Sequence, residues 1–110
     1  MKNFSIAVIK LSGELEIGRK DEIRSALAIP AAASAVLLDF SEITYADSTA
    51  LAELLRFRTE AERAGVRLAI VTGIANQQFA RLITYAGLQD AFAVFEARAA
   101  ALNYLGSAPA

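Results

Sequence analysis

Two hydroxyl side chains and a carboxylate follow one another near the middle of the chain, at Asp47, Ser48 and Thr49. Such residues are preferred helix N-caps, because their oxygens accept hydrogen bonds from the free N–H groups of the first turn. A hydroxyl there can also receive a phosphate, whose charge a helix N-terminus tolerates, so the surface would change while the fold stays intact. The residue types leave two hypotheses open: a simple cap, or phosphorylation of Ser48 or Thr49.

An enzyme, or a domain that binds a small ligand or nucleotide, is a weaker hypothesis, because we expect no histidine, cysteine or nearby lysine to activate a hydroxyl. The chain has no histidine and no cysteine, which excludes a thiolate nucleophile, a Ser-His-Asp triad and the usual zinc sites. No glycine-rich phosphate loop of the P-loop or dinucleotide type is present. We therefore predict no enzyme, no catalytic residue, no metal site and no cofactor.

Length and charge narrow the class of protein. A chain of 110 residues with 55% apolar residues is expected to form one domain with a hydrophobic core. Its formal charge of −1, with acids and bases interspersed, gives no electrostatic footprint for nucleic acid. No stretch is long and apolar enough to span a membrane, and Lys10 interrupts the short N-terminal apolar run. We expect a soluble, cytoplasmic protein without direct membrane insertion.

The three polar residues lie where a predicted buried strand meets a predicted helix. The apolar run at 35–40 is typical of a strand buried on both faces, and the periodic stretch from Asp47 to Ala64 predicts a helix that ends at Gly65. A further strand follows at 67–72. The unit is a right-handed βαβ crossover, and function usually gathers at the carboxyl ends of such strands.

The remaining elements complete an α/β domain. Residues 4–17 suggest either two short strands around a turn at Ser12-Gly13, as in a hairpin, or one bent strand. Helices are predicted at 19–28, at 76–86 with Asn76 as N-cap, and at 96–105, with a short strand at 91–95. The predicted order is β-β-α-β-α-β-α-β-α, with about four helices on a small mixed sheet of four to five strands. We assign residues 1–105 to the domain and 106–110 to a flexible tail.

Aromatic and basic side chains receive structural interpretations. Phe40, Tyr45, Phe79 and Tyr85 are expected to pack in the core. Arg56, Arg58 and Arg63 are interpreted as a solvated helix face rather than a partner contact, and Arg58 is expected to pair with Glu62, four residues later.

The central stretch resembles the signature of STAS domains, the anti-sigma factor antagonist family. An apolar strand reaches Asp39, a polar segment follows, and Asp47-Ser48-Thr49-Ala50-Leu51 resembles the family's Asp-Ser-Ser/Thr-Gly-Leu. Three further segments are similar, and the resemblance extends over about residues 5–105. They are Gly13-Glu14-Leu15-Glu16, Ala64-Gly65-Val66-Arg67-Leu68, and Ala86-Gly87-Leu88 followed by Phe92-Ala93-Val94-Phe95.

The resemblance implies a phospho-regulated adaptor. Members of the family bind an anti-sigma factor that is also a serine/threonine kinase, are released when that kinase phosphorylates them, and are reset by a phosphatase. The phosphoacceptor falls on Thr49, with Ser48 as second choice. The implied partner-binding residues are Glu16, Asp47, Ser48, Thr49, Ala50 and Leu51.

Two departures from the family pattern keep an alternative open. Ala50 replaces the usual glycine, and its methyl group is expected to narrow the approach to the acceptor or to restrict the backbone. The acceptor is threonine rather than the commoner serine. The alternative is a STAS subunit that works without phosphorylation in another assembly, such as a phospholipid ABC transporter. A homodimer through an exposed edge strand is also compatible with the sequence.

Overall fold

The computed structural model describes residues 4–73 and 77–106. In this part of the chain the strands are β1 (Ile6–Leu15), β2 (Ala35–Ala46), β3 (Arg67–Val71) and β4 (Ala93–Phe95). The α-helices are α1 (Lys20–Ala26), α2 (Ser48–Ala64), α3 (Gln77–Tyr85) and α4 (Arg98–Gly106). A short 3-10 turn, Ile17–Arg19, connects β1 to α1.

The four described strands form one parallel sheet in the order β1-β2-β3-β4. The predicted α/β class and the predicted βαβ unit from β2 through α2 to β3 are confirmed. The mixed sheet is wrong, because every described pairing is parallel. For residues 4–17 the hairpin is wrong and the alternative of one strand is correct, since β1 is continuous and pairs with β2.

The misread hairpin has a local cause at Gly13. This glycine has a φ of 77°, the left-handed conformation that a turn would also require, so it looks like a turn residue in the sequence. In the structure the chain passes through Gly13 without reversing. The guanidinium of Arg19 donates to the carbonyls of Ser12 and Glu14 at 2.8 and 2.7 Å, which satisfies the acceptors on either side of the glycine.

Strand β2 extends beyond the predicted residues 35–40. The prediction stopped early because the side-chain alternation changes partway along the strand. Val36, Leu38 and Phe40 face one core at two-residue spacing, whereas Ile43 and Ala46 rejoin that core after steps of three. The register with β1 shifts once between Lys10 and Ser12 and once between Gly13 and Glu14. Each shift places one extra residue in β2, the geometry of a β-bulge. The segment predicted as a polar connection is therefore bulged strand.

The two faces of the sheet are covered unequally. Sequential order with right-handed crossovers places the connecting helices α1, α2 and α3 on the same face. That face holds the larger core, which includes Ile23, Leu54, Phe57 and Ile83. Of the helices that the structure describes, only α4 covers the opposite face, through a smaller cluster. Its buried members are Ala35, Leu37, Ala69, Val71, Ala101 and Leu105.

A buried carboxylate on β2 ties α4 to the sheet. Asp39 accepts hydrogen bonds from Ser41 Oγ at 2.6 Å and from Arg98 at 2.6 Å, at the start of α4. Burial raises the pKa of Asp39, but the hydrogen bonds from Ser41 and the Arg98 charge outweigh it and hold that pKa below its ordinary value. Asp39 therefore has a structural role on the face opposite α1 and α2.

Four aromatic residues were expected in the core, and two of them are there. Phe40 and Phe79 are fully buried and meet edge to face with ring centroids 5.2 Å apart. The predictions for Tyr45 and Tyr85 are wrong, because 47% and 86% of these residues are exposed. Tyr45 follows the bulges of β2, and Tyr85 is the last residue of α3.

Two further predictions concern the start of α3 and the end of α4. The proposed cap Asn76 and the tail residues 107–110 lie outside the described residues. Helix α4 includes Gly106, which was assigned to the tail. The division into a domain at 1–105 and a tail remains a prediction.

Candidate functional site

The site is built at the edge of the sheet where the parallel strands end and the helices begin. Leu15 and Ala46, the last residues of β1 and β2, are partners in the register. The backbone N–H of Asp47 donates to the carbonyl of Leu15 at 3.2 Å. Glu16, which follows Leu15, therefore lies next to Asp47 at this end of the sheet.

Asp47 is the N-cap of α2. Its backbone is extended, and its Oδ1 accepts a hydrogen bond from the N–H of Thr49 at 2.8 Å. Capping of this kind stabilises a helix by about 1 kcal/mol. The capping hypothesis is thus correct for Asp47, and Ser48 and Thr49 are the first two residues of the helix.

The two hydroxyls remain available for chemistry. Ser48 is exposed and Thr49 is half-buried. Neither hydroxyl makes a hydrogen bond to another residue in the part of the chain that the structure describes. Both stand at the positive end of the α2 dipole, which favours an added negative charge.

Ala50 and Leu51 have a different position from the one expected. They are 1% and 9% exposed and belong to the large core. Their side chains therefore support α2 from beneath, and any partner would reach this segment through Ser48 and Thr49. The methyl group of Ala50 points into the core, so the expectation that it narrows the approach to the acceptor is wrong.

A groove of about 300 Å³ runs between α1 and α2, and both hydroxyls lie at its edge. Its lining is rich in cations, which no sequence pattern had marked as part of the site. The lining residues are Ile17, Lys20, Arg24, Ser48, Thr49, Ala52, Glu53 and Arg56. Lys20 and Arg24 are four residues apart on α1, the spacing that places two side chains on one helix face.

Glu53 is the buried acid of this groove. It is 2% exposed, and it accepts from Arg24 Nε at 2.8 Å and from Arg56 Nε at 3.1 Å. Burial raises the pKa of Glu53, but hydrogen bonds and charge from Arg24 and Arg56 more than compensate and lower that pKa below its ordinary 4.5. Glu53 is therefore ionised at neutral pH and neutralises part of the positive charge.

The other arginines of α2 divide between structure and site. Arg58 donates to the carbonyl of Ala91 at 2.7 Å and pairs with Glu62 at 2.9 Å, as the four-residue spacing predicted. Arg63 is exposed. Arg56 was expected on a solvated helix face. Instead it lines the groove and donates to the carbonyl of Leu27 at 3.2 Å.

Two exposed apolar side chains accompany the site. Ile17 lines the groove and is 71% exposed, and Tyr45 precedes Ala46 and Asp47 at the end of β2. Sequence reasoning missed Ile17, because its alternation with Leu15 suggested a hairpin arm. Gly18, which follows Ile17, ends that alternation and was the sign in the sequence that the strand stops before Ile17.

Two further findings concern the described residues only. Among them, no group of three or more acidic residues is placed to hold a metal ion. No helix in the described ranges is long and apolar enough to cross a membrane.

A comparison with models of protein families identifies the family of this chain. The family model described as STAS domain matches residues 2–101. No curated protein matches the chain. The fold and the site define an α/β domain organised around a capped helix start that presents hydroxyls. The chain belongs to the STAS domain family.

Solved structures with the same fold include proteins of two kinds. An anti-sigma factor antagonist from Mycobacterium paratuberculosis is 18% identical with a TM-score of 0.79, over 97% of this chain and 91% of that one. The unphosphorylated anti-sigma factor antagonist SpoIIAA is 19% identical with a TM-score of 0.71, over 99% and 96%. A sulfate transporter family protein from Wolinella succinogenes is 19% identical with a TM-score of 0.76, over 96% and 88%. At these identities the likeness concerns the fold.

The capping role of Asp47 gives a first prediction. Asp47→Ala removes the acceptor for the Thr49 N–H and should lower the free energy of unfolding by about 1 kcal/mol. Asp47→Asn keeps an accepting oxygen and should stay within about 0.5 kcal/mol of wild type. Urea denaturation of the three proteins measures both values. Equal loss in both variants would mean that the cap does not act through this hydrogen bond.

Glu53 gives a prediction on pH. Its folded pKa is depressed, so its contribution to stability is present above about pH 4.5 and is lost as the pH falls through the lower folded value. Glu53→Gln should cost on the order of 2 kcal/mol at pH 7, and its deficit relative to wild type should shrink below pH 4.5.

The matched control for that measurement is Glu62→Gln. Glu62 is also paired with an arginine on α2, but its side chain is 59% exposed. Its replacement should change the free energy of unfolding by no more than about 0.5 kcal/mol at either pH. Urea denaturation at about pH 7 and about pH 3.5 measures the free energy of unfolding of each variant. If the loss of stability in Glu53→Gln is the same at both pH values, the lowered pKa of Glu53 is contradicted.

Proposed function

We propose that the chain is an anti-sigma factor antagonist. In this role it binds an anti-sigma factor that is also a serine/threonine kinase, and so releases a sigma factor. The observation that carries the proposal is the Thr49 hydroxyl in the first turn of α2, at the edge of a cation-lined groove. This hydroxyl makes no hydrogen bond to the residues that the structure describes. The family membership and the fold shared with SpoIIAA support it.

The proposed switch is phosphorylation of Thr49, with Ser48 as the second choice. The kinase would transfer the terminal phosphoryl group of ATP to the Thr49 oxygen, with loss of the hydroxyl proton and release of ADP. The positive end of the α2 dipole suits the added anion, so the domain is expected to remain folded. A phosphatase would restore the hydroxyl.

The proposed binding surface surrounds that hydroxyl. Glu16 and Asp47 lie side by side at the sheet edge, and Ser48 and Thr49 follow on α2. Ile17 adds an exposed apolar side chain to the same surface. Exposed apolar groups beside charged ones are typical of protein–protein interfaces. Ala50 and Leu51 contribute by holding the helix start in place.

The proposal assigns binding rather than catalysis to the site. The Asp47 carboxylate is engaged as the helix cap, and no histidine or cysteine exists in the chain to act as a base or nucleophile. The module would work in the cytoplasm, on protein partners and without a cofactor. No role in binding nucleic acid is proposed.

Binding of the anti-sigma kinase to Thr49 variants tests the switch. Thr49→Glu adds a negative charge at the acceptor position and should weaken binding by about tenfold or more, or about 1.4 kcal/mol. Thr49→Val has a similar shape without charge and should bind as wild type does. Isothermal titration calorimetry measures both. The switch is wrong if Thr49→Glu binds as tightly as the other two proteins.

Mass spectrometry of the protein from its own cells tests the site directly. Phosphate on Thr49 is the expected result, and phosphate on Ser48 would move the acceptor by one residue. A protein that carries neither under all growth conditions would contradict phospho-regulation.

The second candidate is a STAS subunit that docks permanently in another assembly, such as a phospholipid ABC transporter. The exposed Ile17 and Tyr45 favour it, since a lasting interface would cover them. The shared fold of the sulfate transporter family protein is compatible with it. Co-purification with an ATPase subunit, rather than with a sigma-regulating kinase, would support this candidate.

A further inference from the structure

Positive charge is concentrated in the groove between α1 and α2. The lining contains three cations, Lys20, Arg24 and Arg56, and one carboxylate, Glu53. The chain as a whole has a formal charge of −1. The groove beside Thr49 therefore has the opposite sign to the whole molecule, which makes it a place where an anion would be held.

Contacts between the two helices fix their relative register. Arg24 of α1 donates to Glu53 of α2. Arg56, three residues after Glu53, donates to the carbonyl of Leu27, which is three residues after Arg24 and directly follows α1. The helices run in the same direction, because each follows a parallel strand on the same face of the sheet. One turn before the Arg24–Glu53 pair, this register sets Lys20 against Thr49.

Lys20 differs from the two arginines in having no anionic partner. Arg24 and Arg56 are held by Glu53, whereas the side chain of Lys20 makes no hydrogen bond or ion pair with the residues that the structure describes. Arg24 uses its Nε toward Glu53, and its side chain is 54% exposed. A free ammonium group and a partly exposed guanidinium thus line the groove next to the acceptor hydroxyl.

We propose that Lys20, assisted by Arg24, binds the phosphate of phosphorylated Thr49 within the same chain. This inference rests on the proposed function, since it concerns the phosphorylated form. The Lys20 ammonium pairs with the phosphate, and Arg24 lies between the phosphate and Glu53. Asp47 is engaged as the helix cap, and Glu53 is paired with both arginines. Two further carboxylates lie nearby, Glu16 beside Asp47 and Asp21 next to Lys20 in the sequence.

The phosphate itself reports on this pairing. A phosphate monoester has a second pKa of about 6, and a neighbouring cation lowers it by favouring the dianion. The full chain is prepared with phosphothreonine at position 49 by incorporation during translation, so no cognate kinase is needed. Phosphorus NMR from about pH 5 to about pH 8 then measures the phosphate pKa in each variant.

Lys20→Gln should raise the phosphate pKa by about 0.5, a threefold change in proton affinity, because the nearest free cation is lost. Lys20→Arg keeps the charge and should restore the wild-type value. Lys20 is exposed and has no ion-pair partner within residues 4–73 and 77–106, so these variants are expected to fold as wild type does.

Arg63→Gln is the matched control, since it removes one exposed cation from the far end of α2. Arg63 lies about 21 Å from Thr49 along the helix axis, which exceeds the screening length of about 10 Å at 0.1 M salt. Its replacement should leave the phosphate pKa unchanged. The same pKa in Lys20→Gln and Arg63→Gln would overturn the inference, because the phosphate would then face solvent.

The outcome is independent of whether cells phosphorylate the protein. A Lys20 effect on the phosphate pKa supports the groove as a phosphate site, even if the kinase-binding test on Thr49 fails. Conversely, loss of binding by Thr49→Glu with no Lys20 effect would keep the proposed function and reject phosphate binding in the groove.

Discussion

Parallel pairing of four sequential strands is the constraint on which the rest of the structure depends. The order β1-β2-β3-β4 with right-handed crossovers places α1, α2 and α3 on one face and leaves the other to α4. The same order brings the strand ends and the starts of α1 and α2 to one edge. Glu16 and Asp47 follow neighbouring strand ends there, and α1 and α2 run side by side, so the groove is a consequence of the topology.

The local signals in the sequence were sufficient for much of this architecture. The apolar run at the start of β2, the Asp-Ser-Thr cluster and Gly65 correctly predicted a strand, a helix start and a helix end. The resemblance to STAS domains, which rested on those residues and on segments elsewhere, is confirmed by the family model. These features can be predicted from the sequence because each one depends on residues that are close together in the chain.

Errors arose where a residue type has two structural uses. Gly13 in a left-handed conformation fits a turn, and it fits equally a strand whose carbonyls are bound by Arg19. The bulges in β2 shift the alternation after Phe40, which hides the second half of the strand and exposes Tyr45. A pattern of fixed period cannot represent an extra residue in one strand, because the partner strand decides where it is accommodated.

The cations of the groove were beyond prediction for a different reason. Lys20 and Arg24 lie far from Thr49 in sequence, and only the register of α1 against α2 brings them together. Charge counting over the whole chain pointed away from anion binding, since the total is −1. The relevant quantity is the local charge beside the hydroxyls, which depends on the packing of two helices.

This local charge connects the proposed switch to its effect on binding. With Thr49 unmodified, the groove has excess positive charge beside the exposed Ile17, a combination that suits a partner segment with acidic and apolar side chains. A phosphate at Thr49 neutralises those cations from within the chain and occupies the space next to Ile17. On this proposal one modification removes the electrostatic attraction and obstructs the apolar contact. The fold need not change for the partner to be released, since the phosphate would compete with the partner for the same cations.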